Sequence, residues 1–204
     1  MPKDFISINI NAKQISSWLN DVEKKELPFI TAMTLTYTAK DAQAELTKQI
    51  PLQLREPTPF TRKGTGITPA KKTRLVSTVF IKDKQEDYLI YQVEGGTRKP
   101  RNRVMLTPGG NLKTNKYGNI PRTRMKTLTG KQNVFVGKPK GRNLPSGVWS
   151  RHPAKNSKRI KPEVIFINSA TYKQKLDFFG IVRDEAQSKA QTNFTRSFRR
   201  VLDK

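Results

Sequence analysis

The side chains able to do chemistry are few and scattered. His152, the single histidine, lies in the run Ser150-Arg151-His152-Pro153. An imidazole that binds a metal or moves a proton needs a second ligand or an orienting carboxylate. Residues 95–162 contain no aspartate or glutamate, so His152 reads as an exposed loop residue. The densest carboxylate group, Asp83, Glu86 and Asp87, falls between two apolar runs. Two-metal phosphoryl chemistry needs converging carboxylates, whereas these read as a solvated turn. Glu23 and Lys25 form the Glu-x-Lys fragment of some nucleases, but inside a helical stretch and without the Pro-Asp strand that precedes it there. Gly64-Thr65-Gly66 and Gly95-Gly96 lack the lysine-serine pair and helix of a phosphate-binding loop. There is no Gly-x-Ser-x-Gly elbow, and no cysteine for a thiolate site or a disulfide. These residues indicate no enzyme, and no catalytic, cofactor-binding or metal-binding residue is assigned.

Charge is the stronger signal. The chain has 204 residues, a formal net charge of +24 and only 34% hydrophobic residues. That length suits one domain plus an extension, with a core smaller than the length suggests. So large a charge repels itself in a compact monomer and favours an anionic neighbour, either nucleic acid or an acidic protein surface. No apolar run approaches the ~20 residues that span a bilayer, and the N-terminus lacks the apolar stretch of a signal peptide. The expectation is a soluble protein made in the cytosol, with no membrane partner.

The elements that would carry this charge can be read in order. Residues 5–10 alternate as a short strand, and a short helix through Trp18, Leu19 and Val22 ends near Glu26. Pro28 then opens a second helix that Pro51 stops. Its apolar positions are Ile30, Met33, Tyr37, Ala42, Leu46 and Ile50. Thr31, Thr34, Thr36 and Thr38 lower its propensity, so it should lean on a sheet, with Ala39, Ala42 and Ala44 permitting close approach. Residues 51–73 read as a proline- and glycine-rich connection. Residues 75–81 and 88–93 read as two strands, or a hairpin, around the acidic turn, with Gly95-Gly96 bending the second strand outward. The last elements are a strand at 163–167 and a helix at 176–202. The stripe Phe178, Val182, Ala186, Ala190, Phe194, Phe198 and Leu202 faces the core, with Phe194 and Phe198 packing the helix onto the sheet. Arg183, Lys189, Arg196, Arg199 and Arg200 line the other face. Those in the last turns suit the helix dipole.

Between these parts lies a basic segment. Residues 95–162 hold eighteen lysines and arginines and no acid, with brief strands foreseen at 104–106 and 134–136. It reads as a long loop or β-arm, partly disordered when the protein is alone. The predicted class is α+β: a small mixed or antiparallel sheet packed by an N-terminal helix and a long C-terminal amphipathic helix, with the basic arm attached. Residues 1–94 and 163–204 would form one domain around the arm at 95–162. Arg98, Lys99, Arg101, Arg103, Arg122 and Arg124 are the candidate contact residues, to a partner protein or to DNA. Tyr117, Phe135 and Trp149 are spaced among the cations as possible base-stacking groups. No zinc finger, RRM signature or helix-turn-helix is present, so any DNA contact would be independent of sequence.

The layout resembles the phage minor tail protein Z, or tail completion, family. The resemblance rests on the small-residue helix and basic Pro/Gly loop at 31–72, and on a strand pair ending in the run Tyr91 to Gly96. It continues in Arg98-Lys99-Pro100-Arg101, Leu106-Thr107-Pro108, Ile165-Phe166-Ile167 and the basic final helix. It implies a non-enzymatic virion protein of the neck or tail, made in the host cytoplasm and without a cofactor. Such a protein acts in tail completion and head–tail joining as part of an oligomeric ring. Its implied partners are other copies of itself and the portal or connector, the tail tube or the tail terminator, with nonspecific contact to genomic DNA. The alternative expectation is a sequence-nonspecific nucleic-acid-binding virion or packaging protein.

Overall fold

The computed structural model describes residues 6–8, 21–99, 104–110, 112–152 and 158–202. In chain order the elements are β1 (Ile6–Ile8), α1 (Asp21–Gln53), α2 (Pro59–Arg62), β2 (Thr65–Thr68), β3 (Ser77–Ile81), α3 (Asp83–Val93), β4 (Gly96–Arg98), β5 (Met105–Pro108), α4 (Arg124–Thr129), β6 (Val134–Gly137), β7 (Gly147–Arg151), β8 (Ile160–Ile167), β9 (Ala170–Tyr172) and α5 (Phe178–Leu202). They form two compact units, one from Met1–Glu94 with Gln174–Lys204 and one from Gly95–Lys173. The α+β class stands: helices at both ends of the chain and small antiparallel sheets.

In the first unit α1 packs chiefly along α5 and also against β2 and β3. The pairings Asn193 with Asp41, Arg200 with Tyr37 and Asp177 with Gln53 show that the two helices run antiparallel. Ala39, Ala42, Leu46 and Ile50 of α1 bury against a cluster that includes Leu89, Val93, Leu176, Phe178 and Val182. Ala44 is exposed, so the close approach uses Ala39 and Ala42 alone. The break expected at Pro28 is absent: α1 is continuous through both Pro28 and Pro51. A proline forgoes one backbone N–H, while Leu27, Ile30 and Thr31 around it are buried and hold the turn. The threonines also suit the helix, because Thr31, Thr34 and Thr36 donate to the carbonyls of Leu27, Ile30 and Ala32. These bonds satisfy hydroxyls that burial would otherwise leave without a partner. The helix foreseen before residue 21 lies outside the described residues.

The sheet beside these helices has the order β1-β3-β2, both edges antiparallel to β3 with Val79 at its centre. Residues 65–68, read from sequence as loop, thus form an edge strand. Gly66 lies opposite Phe80, and Gly64 packs where a Cβ would meet the Thr61 carbonyl at 2.8 Å. The predicted hairpin is also corrected, because residues 88–93 belong to α3. The acidic run is the first turn of that helix, where Asp83 and Glu86 complement the N-terminal dipole. Gln85, Leu89 and Val93, four apart, form its buried face. Gly95, at φ 78°, therefore ends a helix rather than bending a strand, and Gly96, at φ 101°, opens β4.

The second unit is the largest departure from the sequence reading. The described residues of the basic arm supply β5, β6 and β7, which join β8 in a four-stranded antiparallel sheet of order β5-β8-β7-β6. The strand at 163–167, assigned from sequence to the first domain, is part of β8 and lies inside this sheet. Its small core is Leu112, Leu128, Val148 and Val164, with Ile120, Met125, Val134 and Phe166 against it. Gly147 is required where β7 meets β8, since a Cβ there would lie 2.3 Å from the Val164 carbonyl oxygen. A two-stranded ribbon pairs β4 with β9, bringing together the two ends of the unit, Gly96 opposite Tyr172.

Candidate functional site

The second unit holds nineteen lysines and arginines against one carboxylate, Glu163. That carboxylate is engaged, because Ser150 Oγ donates to Glu163 Oε1 at 2.9 Å across β7 and β8. Described cations of the unit accordingly find other partners. Arg142 donates to the Lys158 carbonyl at 2.6 Å, the Arg151 guanidinium sits 4.6 Å from the Phe135 ring centroid, and Lys116 Nζ sits 5.2 Å from that of Tyr117. Carbonyls and ring faces orient a cation without cancelling its charge. The unit therefore presents fixed, uncompensated positive charge, which is what an anionic surface recognises.

The sequence-predicted contact residues distribute over two places. Arg98 ends β4 and is half-buried, with exposed Lys99 following it. Arg122 is exposed just before α4, and Arg124, half-buried, is the first residue of α4. Arg124 Nε is buried with no hydrogen-bond partner. Arg101 and Arg103 lie outside the described residues. The proposed stacking groups separate: Tyr117 and Phe135 are half-buried under their cations, whereas Trp149 is 3% exposed and unavailable for stacking. The turn carrying Tyr117 is well built, because Asn115 Oδ1 accepts from the backbone of both Tyr117 and Asn119 while Gly118 takes φ 72°. His152 is exposed, and its backbone N–H donates to the Arg159 carbonyl. Among the described residues no cluster of three histidine, cysteine, aspartate or glutamate side chains is placed to hold a metal. The side chain of Glu23 lies outside the described residues. No helix among those residues is long and apolar enough to cross a membrane.

Sequence reasoning missed a second cationic site, on the helix pair of the first unit. Arg200 Nη1 donates to Tyr37 Oη at 2.7 Å, the Arg196 guanidinium lies 4.8 Å from the Tyr37 ring centroid, and Lys40 Nζ lies 5.9 Å from it. Three cations thus converge on one phenol. Asp41, next in sequence, has Oδ2 engaged by Asn193 Nδ2 at 2.7 Å. The signal was present as Met33, Tyr37 and Lys40, which share one face of α1, and as the arginines assigned to the outer face of the last helix. Along α5 the fully buried residues beyond Ala186 are Asn193 and Ser197, while Phe194 and Phe198 form a half-buried tilted pair with centroids 6.0 Å apart. Each step of four residues advances about 400° around a helix, so a strict series of fours drifts off any face within a few turns.

No family model matches the chain, and no curated protein or solved structure matches it.

Proposed function

We propose that this chain is a non-enzymatic assembly protein of a phage particle, acting in tail completion and head–tail joining as part of an oligomeric ring. Its second unit would dock on acidic faces of the portal or connector, the tail tube or the tail terminator. The sequence resemblance to the tail completion family in the small-residue helix, the basic runs and the basic final helix supports this reading. The observation that carries it is the basic second unit, with nineteen cations and one engaged carboxylate. Such a unit is self-repelling alone and stabilised beside an anionic neighbour. Imaging particles made with a stop codon at Lys40 tests it. DNA-filled heads separate from tails, or heads leaking at an unfinished neck, are expected. Joined, infectious particles would sink the proposal.

A second reading is favoured by the ring–cation pairs Arg151 with Phe135 and Lys116 with Tyr117 on the same unit. In it the basic surface binds nucleic acid without regard to sequence. Reversing Arg98 and Arg122 to glutamate separates the two. Under the joining reading assembly fails while DNA affinity is nearly unchanged. Under the nucleic-acid reading, affinity collapses and its dependence on salt flattens.

A further inference from the structure

Next to Tyr37 a groove of about 400 Å³ runs between α1 and residues 69–72. Its apolar lining comes from Phe29, Ala32, Met33 and Pro69, and its charge from Lys40, Lys71 and Lys72, with no carboxylate among the lining residues. The seam is fixed. Ala70 N–H donates to Thr36 Oγ1 at 3.1 Å, and Lys71 and Arg74 exchange two backbone hydrogen bonds of 3.0 and 2.9 Å that close a tight turn. Phe29 remains 38% exposed, and all three lysines are exposed.

We propose that this groove receives an acidic, amphipathic segment of a partner protein. One or two apolar side chains would seat against Phe29 and Met33, and flanking carboxylates would meet Lys40, Lys71 and Lys72. Complementarity selects this occupant. An apolar lining interrupted by lysines matches apolar residues interrupted by carboxylates, and matches neither a purely acidic chain nor a purely apolar one. A second copy brings +24 of its own charge. A nucleic acid would offer phosphates to the lysines, but Ala32, Met33 and Pro69 give its bases no flat face to stack on. The inference deepens the assembly reading by naming the partner's chemistry, and it rests on a different unit from the basic sheet.

The test is fluorescence anisotropy with the full chain and a synthetic helical peptide of glutamates with leucines every three or four positions. Saturable binding that weakens with salt is expected, with about a tenfold loss in Lys71→Gln/Lys72→Gln. Both positions are exposed, so that variant tests charge without touching the core. Phe29→Ala should weaken the leucine-bearing peptide and leave polyglutamate unaffected. Equal affinity for polyglutamate and the amphipathic peptide would overturn the proposal, since the apolar lining would then be idle. So would tighter binding of oligo-dT lost in the same variants, or a self-associating chain whose dimer the lysine changes abolish. These outcomes are read without particles, and Arg98→Glu/Arg122→Glu should leave peptide binding intact. Failure here is therefore distinguishable from failure of the assembly reading.

Discussion

The two units divide the chain's physical tasks unevenly. The first carries twenty-one lysines and arginines against fifteen acids and buries a cluster of eleven residues led by Leu46, Ile50, Leu89 and Val182. The second carries nineteen against one and buries four, Leu112, Leu128, Val148 and Val164. Apolar burial stabilises in proportion to area, while net charge of one sign opposes compaction. The first unit is thus held by its core, and the second is a thin sheet under electrostatic load. That difference suits a scaffold bearing a module that an anionic neighbour completes.

The largest effect should come from the thicker core. Leu46→Ala removes a side chain with no exposed surface and should cost the first unit about 3 kcal/mol, read by urea denaturation with hydrogen exchange along α1 and α5. Leu128→Ala, 2% exposed in the smaller cluster, should cost about 2 kcal/mol because fewer fixed neighbours surround the cavity. Equal costs would break the contrast between the cores. Next is Gly147→Ala, whose new Cβ must move the Val164 backbone. About 2 kcal/mol of overpacking is expected, seen as faster exchange in β7 and β8 with α1 and α5 unchanged.

How much of this was legible follows the same division. Helix α5, the outer cations and much of α1's buried face were legible because a single-element periodicity reveals them. Residues 88–93 misled because tyrosine, isoleucine and valine favour strands. The competing signal was the spacing of Gln85, Leu89 and Val93 behind an acidic first turn. The second unit was illegible for a different reason. Its core residues Leu112, Leu128, Val148 and Val164 come from four separate segments, and no window of sequence contains enough of them to outweigh the charge. The groove at Phe29 joins α1 to residues 69–72, a contact that local patterning does not encode.

Salt sharpens the comparison more gently. Raising sodium chloride from about 0.05 to 0.5 M shortens the screening length severalfold and should stabilise the second unit by about 1 kcal/mol. The first unit, with fifteen acids against its twenty-one cations, should change less. Amide exchange resolved by segment reads both at once. Equal responses would mean that the cations of the basic sheet are already neutralised by arrangement within the unit.

Acid gives the smallest effect. Hydrogen bonds from Gln49 and Lys48, aided by the charges of Lys48 and Lys189, hold the Glu45 carboxyl below the usual glutamate range. A carboxyl depressed in the folded state contributes stability that is present above its unfolded pKa and lost as pH falls through its folded one. The contribution is small, because Lys48 and Glu45 form an exposed pair. Glu45→Gln should therefore lower the melting temperature of the first unit slightly at pH 7, and the gap between variant and parent should close as pH falls below the usual glutamate range. The second unit carries one carboxylate against fifteen in the first, so its methyl signals at Val148 and Val164 should change less through the same titration. If they move together with those of Leu46 and Val182, the two units are linked in stability and cannot be treated as a scaffold and a separable docking module.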